Sequence, residues 1–222
     1  QGRPSVIRLR MSDEPIAFSD IIRGTVTFDA KLIGDVVIAK RLTAPLYNFA
    51  AAIDDYESKI SHVIRGEEHI ANTPVQLVIQ RALGFAHPRY AHLPLILNPD
   101  RSKMSKRFAA TSVVEYRTAG YLPEALTNFI ALLGWHPSSD REMLSRDELV
   151  AAFDLERVQK GGAIFNSEKL DWLNAQYVRR LGEDELAKLI IASGGVGTGT
   201  DPGRVRKALA LVRDRMKRIG DF

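Results

Sequence analysis

The sequence contains no cysteine. That absence removes disulfides, thiolate nucleophiles and cysteine-ligated zinc together. Long apolar runs are also missing: a membrane-spanning helix needs roughly 18 such residues, and the best run, Leu186 to Ser193, is broken by Lys188. No charged-then-apolar leader opens the sequence at Gln1, so nothing points to secretion. The five histidines, His62, His69, His87, His92 and His136, show no metal-ligand spacing, and no metal site is expected among them. Neither sign of charge dominates, since 31 Lys and Arg against 27 Asp and Glu leave a formal net charge of +4. Such an excess permits a polyanionic partner without demanding one. No internal repeat is present at solenoid periods. What remains is ordinary globular composition, 45% hydrophobic and 26% charged over 222 residues, enough for one large domain or two small ones.

The pattern of elements changes along the chain. Strand-like runs cover 5–10, 24–28 and 35–40, with the polar turn Ser12, Asp13, Glu14, Pro15 after the first. A helix is predicted over 47–53 and a short strand over 61–65. Asn72, Thr73 and Pro74 form a strong helix start, with a capping side chain and a proline in the first turn. That helix should run to Leu83 and stop at Gly84, before a strand over 91–97. Strand, helix, strand suggests a parallel α/β unit.

After Arg107 only helices are predicted. Ser112 with Glu115, and Ser145 with Glu148, have capping-box spacing. Gly120 and Gly134 sit where glycines end helices, and Pro123 opens the helix between them. Another helix is expected over 166–180, with Leu170, Leu173 and Tyr177 on one face. The glycine-rich stretch 194–199 lacks a preceding strand and a following lysine, so it reads as a linker rather than a phosphate cradle. Beyond the cap-and-proline pair Asp201 and Pro202, the residues Val205, Leu209, Val212, Met216 and Ile219 recur at helical spacing as a buried stripe. Arg204, Arg206, Lys207, Arg213, Arg215, Lys217 and Arg218 load the same segment, either as a solvated face or toward a polyanion.

The sharpest chemical signal is Lys103, Met104, Ser105, Lys106 and Arg107, just after a strand and an Asn98, Pro99, Asp100 turn. Two ammonium groups three residues apart on a loop can fold over a polyphosphate and neutralise charge on departing pyrophosphate. A solvated basic loop is the bland alternative. For Arg65 the bland alternative is an ion pair with Glu67 or Glu68. Asp54 and Asp55 are adjacent on a helix and point about 100° apart, which favours a structural or capping role over paired acid–base work.

The pentad resembles the KMSKS signature loop of class I aminoacyl-tRNA synthetases. Ile64, Arg65, Gly66, Glu67, Glu68 and His69, followed by Asn72, Thr73 and Pro74, are similar to the stretch before that loop in the glutamyl-tRNA synthetase family. Tyr47, Asn48, Phe49 and Ala50 with Asp54 and Asp55, then His92, Leu93, Pro94 and Leu95, fit the same family in the same order. Leu122 to Leu126, Gly134 with Trp135, and Phe165 to Leu170 resemble its helical stem-contact region. The likeness runs from about residue 6 to 180 and weakens from Leu181 onward.

This resemblance implies an α/β fold: the second half of a Rossmann-type nucleotide-binding domain, with an N-terminal inserted-domain remnant and C-terminal all-α stem-contact and helical regions. The implied parts are 1–45 from the acceptor-arm-binding inserted domain, 46–92 from the catalytic domain, 93–182 with signature loop and stem-contact helices, and 183–222 opening the anticodon-binding region. The implied reaction is ATP-dependent ligation of L-glutamate to tRNA(Glu) through a glutamyl adenylate. Arg65 would meet the side-chain carboxylate of glutamate bidentately and Tyr47 would donate its hydroxyl to it, with Asn48, Phe49, Ala50 and Ala51 lining the pocket. Glu68 would contact the adenosine of ATP and Ile96 the adenine. Lys103 and Lys106 would be the catalytic contacts to the phosphates, with Met104, Ser105 and Arg107 beside them and Mg²⁺ accompanying the ATP. A cytoplasmic monomer without membrane association is expected. The family's HIGH tetrad occurs nowhere in the sequence, so the expectation is a partial synthetase lacking that half and the anticodon-binding part, inactive alone. Two alternatives stand beside it: a non-catalytic RNA-binding module derived from a synthetase, and the tRNA-modifying glutamyl-queuosine paralogue.

Overall fold

A computed structural model describes residues 5–104, 112–197 and 199–222. The chain divides into two compact units, one of residues up to Leu95 with Leu155–Gly161, the other of Ile96–Asp154 with Gly162–Phe222. In chain order the first unit runs β1 (Ile7–Leu9), β2 (Ile16–Asp20), β3 (Gly24–Phe28), α1 (Ala30–Ile33), β4 (Val36–Arg41), β5 (Ala44–Pro45), α2 (Tyr47–Glu57), β6 (His62–Gly66), α3 (Thr73–Leu83) and β7 (Arg89–Leu93).

β6 and β7 are parallel, paired from His62 opposite Arg89 to Gly66 opposite Leu93, with α3 as their connection. This is the parallel unit expected from the sequence. Its sheet continues to β2 and β3 in the order β3-β2-β7-β6, and β1, β4 and β5 form a separate antiparallel sheet. β2 was not anticipated. Its residues alternate, with Ile16, Phe18 and Asp20 buried and Ala17 and Ser19 exposed, but the run follows a proline-containing turn and ends on polar residues. β2 pairs antiparallel with β3 and meets β7 at Asp20 opposite Tyr90. Residues before 45 therefore share a sheet with residues after it.

Seven residues of α3, Thr73 to Leu77 with Ile79 and Gln80, are buried. Leu77 packs with Ile16, Phe18, Ala30 and Tyr90, while Val75 and Ile79 pack with Ala52. Each such aliphatic burial contributes about 1.5–3 kcal/mol. The helix ends at Gly84, in the left-handed region at φ 70°. Its start differs from expectation: a 3₁₀ turn over Glu67–Asn72 runs straight into it, so Asn72 already has helical dihedrals and its side chain caps nothing. The strand predicted over 91–97 is interrupted after Leu93, where Pro94 has no N–H for a ladder.

The second unit contains β8 (Ile96–Leu97), α4 (Val113–Thr118), α5 (Pro123–Leu132), α6 (Arg146–Ala152), β9 (Ala163–Ile164), α7 (Ser167–Arg180), α8 (Glu183–Ala192) and α9 (Pro202–Val212). Apart from the short parallel pair of β8 and β9, it is helical as expected. Both predicted capping boxes form, and the Asn166 and Asp201 side chains cap α7 and α9. Gly134 is not a left-handed helix end, because α5 closes on Leu133 in right-handed geometry. Gly120 is one, at φ 83°, and a Cβ there would stand 2.9 Å from the Gly220 nitrogen.

Val205, Leu209, Met216 and Ile219 are buried with Val178, Leu186 and Ile190, which confirms the apolar stripe. It is not a single helix, however, since α9 stops at Val212 and two 3₁₀ turns follow. Buried Asn174 accepts from the Leu122 nitrogen at 2.8 Å, and buried Asn128 from the Leu144 nitrogen and the Tyr177 hydroxyl, both at 2.8 Å. Part of the basic C-terminal group is structural: Arg206 pairs with Asp184, Arg218 with Asp171, and Arg213 donates to the carbonyls of Arg179 and Leu181.

Candidate active site

Arg65 lies on β6, near the carboxyl end of the parallel pair, where open α/β sheets place their ligands. It makes no ion pair with Glu67 or Glu68. Its Nε donates to His92 Nε2 at 3.2 Å, and its Nη2 donates to Thr73 Oγ1 and to Gln76 Oε1, both at 2.9 Å. The guanidinium also lies 5.7 Å from the centre of the Tyr90 ring. Nη1 has no hydrogen bond among the described residues. Thr73, Gln76 and His92 are all buried, so the cation is held by neutral, fixed groups with one donor edge left over. A half-buried guanidinium fixed by neutral groups, with a donor to spare, suits a carboxylate.

Gln76 extends this arrangement to α2, where its Nε2 donates to Asn48 Oδ1 at 3.2 Å. Tyr47, at the first turn of α2, is 56% exposed, with its ring 6.0 Å from that of His69. The structure thus ties Arg65 and Asn48 into one network and leaves the Tyr47 hydroxyl free to meet solvent or ligand. Phe49 is different: it packs toward the buried cluster of Ala52, Val75 and Ile79. Ala50 and Ala51 are half-buried and bring no polar group. Asp54 is exposed and Asp55 half-buried, where burial raises the Asp55 carboxyl pKa against the opposing pull of Arg65.

Behind Arg65 stands a buried pair that the sequence did not signal as functional. His92 and Asp20 are 0% and 2% exposed, with His92 Nδ1 2.6 Å from Asp20 Oδ2. Asp20 also accepts from the backbone nitrogens of Ile22, Arg23 and His92. Burial lowers the His92 pKa, against the opposing pull of Asp20. Because the Arg65 Nε can only donate, His92 Nε2 presents its lone pair to it, which places the imidazole proton on Nδ1 toward Asp20. An acid and a histidine at inward-facing positions of strands were the only sequence signal, and β2 had to be recognised for it to be read.

Glu67 is structural. It pairs with Arg23 and accepts from the Leu95 nitrogen at 3.0 Å. Glu68 is exposed, and its carboxylate lies over Gly66, where an added Cβ would be 2.1 Å from Oε2.

In the second unit, Ile96 is 39% exposed at the start of β8. Its carbonyl accepts from the Met104 nitrogen at 3.0 Å, and Leu97 bridges Lys103 in antiparallel fashion. The turn between them is tightly bonded. Asn98 exchanges backbone hydrogen bonds with Ser102 and Arg101 at 2.8 Å, and Asp100 Oδ1 accepts from the Ser102 nitrogen and hydroxyl at 2.9 and 2.6 Å. Arg101 holds a left-handed φ of 66° to close it. Lys103 thus leaves a braced turn with its side chain exposed. Ser105, Lys106 and Arg107 lie outside the described residues. An apolar cleft of about 380 Å³ among Val113, Tyr121, Leu122, Leu189 and Ile219 contains none of the expected site residues.

Residues 1–172 match the family described as tRNA synthetases class I (E and Q), catalytic domain. The chain is 48% identical over 224 residues to a glutamate–tRNA ligase of Heliobacterium modesticaldum, covering 99% of this chain and 45% of that protein. It is 50% identical over 220 residues to glutamate–tRNA ligase 1 of Syntrophomonas wolfei, covering 97% and 44%. Among solved structures it is similar to a glutamate tRNA ligase from Elizabethkingia meningosepticum, determined in complex with its amino acid, at 36% identity and a TM-score of 0.87, over 98% of this chain and 47% of that one. The chain spans about half the length of the curated relatives it matches. A parallel unit that presents a braced arginine, a lysine-bearing turn after the next strand, and likeness of this extent agree on one lineage: the chain belongs to the class I tRNA synthetases of the E and Q type, through their catalytic domain.

Proposed function

We propose that the protein ligates L-glutamate to tRNA(Glu) with ATP, and that this chain supplies the side-chain carboxylate subsite and the base of the phosphate-binding loop. The observation that carries the reading is the Arg65 guanidinium, fixed by Thr73, Gln76 and His92 with its Nη1 edge unpaired. Glutamate would place its side-chain carboxylate on that edge, with Tyr47 donating its hydroxyl to the same group. Asn48, Ala50 and Ala51 would border the pocket, and Phe49 would support it from the core side.

The α-carboxylate of glutamate then attacks the α-phosphorus of ATP, and pyrophosphate leaves with its charge met by Lys103 and Lys106. Met104, Ser105 and Arg107 would complete the loop over the nucleotide, with Glu68 toward the ribose and Ile96 against the adenine. A hydroxyl of the terminal tRNA adenosine takes the acyl group from the adenylate. Neither step requires a protein nucleophile. Mg²⁺ would accompany the phosphates of ATP. No helix among the described residues is long and apolar enough to cross a membrane, and a cytoplasmic monomer is the expected setting.

The expected parts also carry roles: 46–92 the amino-acid side of the catalytic domain, 1–45 a contact to the acceptor arm, 93–182 the signature loop and stem contact, and 183–222 the approach to the anticodon region. The test is glutamate-dependent ATP–pyrophosphate exchange by the full-length protein. Arg65→Ala should raise the glutamate KM by about a hundredfold or more, as expected when a charged carboxylate loses its partner. An unchanged glutamate KM would overturn the carboxylate assignment, and no exchange in the unaltered protein would favour an RNA-binding role.

A further inference from the structure

Resting on the reading of Arg65 as the carboxylate-binding group, we propose that Asp20 and His92 are positioning residues that set the orientation of its free donor edge. An arginine has donors and no acceptor, so every neighbour that fixes it must present a lone pair. Thr73 Oγ1 and Gln76 Oε1 do so at Nη2, and at Nε the acceptor is His92 Nε2. Imidazole can accept there only if its proton resides on Nδ1. Which nitrogen carries the proton is decided by the partner of the other one. That partner is Asp20, 2.6 Å from Nδ1.

Asp20 is itself immobilised. Its carboxylate receives the backbone N–H groups of Ile22 and Arg23 beyond β2 and of His92 on β7. It is therefore fixed at the one point where the two strands meet, Asp20 opposite Tyr90. The order of dependence runs from backbone to Asp20, to the tautomer of His92, to the Nε side of Arg65. Because the guanidinium is planar, holding Nε and Nη2 fixes where Nη1 points. A small rotation of that plane would misdirect Nη1 without removing the charge, which is how a supporting shell governs affinity. Structural stability alone does not require the pair to face Arg65, since none of the four contacts of Asp20, to backbone and imidazole, involves residue 65.

The test uses two variants that split the imidazole in half, in the full-length protein. His92→Asn retains a group at the Nδ1 position that can donate to Asp20 but has no acceptor for Arg65. His92→Gln places a carbonyl oxygen near the Nε2 position. His92→Asn should raise the glutamate KM in ATP–pyrophosphate exchange by about tenfold or more, with kcat and the ATP KM changed by less than about threefold. His92→Gln should recover most of that loss. Equal glutamate KM values for His92→Asn and the unaltered protein, alongside a large increase in Arg65→Ala, would overturn the positioning role while leaving Arg65 in place. No increase in Arg65→Ala would instead sink the carboxylate reading itself. A measurement on the unaltered protein guards against variants that fold poorly: nitrogen-15 NMR of labelled histidine should show His92 with Nδ1 protonated and Nε2 bare at neutral pH. An Nε2-protonated or cationic imidazole would refute the proposal.

Discussion

Replacing Asp171 tests how the end of the second unit is held. Asp171 on α7 accepts the Tyr121 hydroxyl at 2.5 Å and receives Arg218 at both oxygens, from Nη2 at 2.9 and 3.0 Å and from Nε at 3.0 Å. Arg218 also covers the Tyr121 ring, 4.8 Å from its centre. Charge-assisted hydrogen bonds are worth about 1.5–3 kcal/mol each, but these share one carboxylate, and the Arg218 side chain is 37% exposed, so solvent screening reduces the sum. Asp171→Ala should therefore cost about 2–3 kcal/mol and Asp171→Asn about 1–2 kcal/mol. A double-mutant cycle with Arg218→Ala should return a coupling of about 1 kcal/mol or more.

The assay is urea unfolding followed by tryptophan fluorescence, because both tryptophans of the sequence, Trp135 and Trp172, lie in this unit. The pH dependence supplies an independent arm. Burial, and then Asp171, raise the Tyr121 pKa above the ordinary value of 10.0. A folded-state pKa above the unfolded one gives stability that is complete below about pH 10 and lost as pH rises further. Asp171→Asn should make that alkaline loss shallower. A midpoint for Asp171→Ala within error of the unaltered chain, or zero coupling to Arg218, would show that these bonds only replace bonds to water.

Other predictions follow the same reasoning. The Ser145 backbone N–H, with Arg141 assisting, holds the Glu148 carboxyl down to about 2 from 4.5; its stabilising effect is present above pH 4.5 and lost toward pH 2, so Glu148→Gln should flatten acid unfolding in that window. Gly120→Ala adds a left-handed penalty to a backbone collision and should cost at least about 2 kcal/mol, whereas Gly194→Ala, left-handed but in open space, should cost about 1 kcal/mol. Equal costs would mean that the approach of Gly220 is not close in solution. Lys106→Ala in the full-length protein should slow pyrophosphate exchange by about a hundredfold or more with little change in tRNA affinity; an unaltered rate removes Lys106 from the reaction.

The parts of this fold that were legible in the sequence are those fixed by local chemistry. Ser112 with Glu115, Ser145 with Glu148, Asn166, Asp201 and Pro123 start their helices because capping is decided within one turn. The parallel β6-α3-β7 unit was visible for the same reason, in runs bounded by clear breakers. Asn72 failed as a cap because a preceding 3₁₀ turn had already taken the chain into helical geometry, which composition does not reveal. β2 was missed because its stability comes from β3 and β7 rather than from its own residues.

The candidate site divides in the same way. Lys103 is legible from the basic pentad after a turn, whereas Arg65 and Asn48 are reached only through the family resemblance. Thr73, Gln76 and His92 act on Arg65 across 8 to 27 residues of sequence, and Asp20 acts on His92 across 72. Only tertiary pairing brings them together, so no spacing in the chain could announce them.

Charging of purified tRNA(Glu) with labelled amino acids, by the full-length protein and ATP, decides whether Arg65 selects glutamate. Attachment of glutamate is expected, with none of aspartate or glutamine, and loss of attachment in Arg65→Ala. Equal attachment of glutamine, or undiminished attachment of glutamate by Arg65→Ala, would contradict that role.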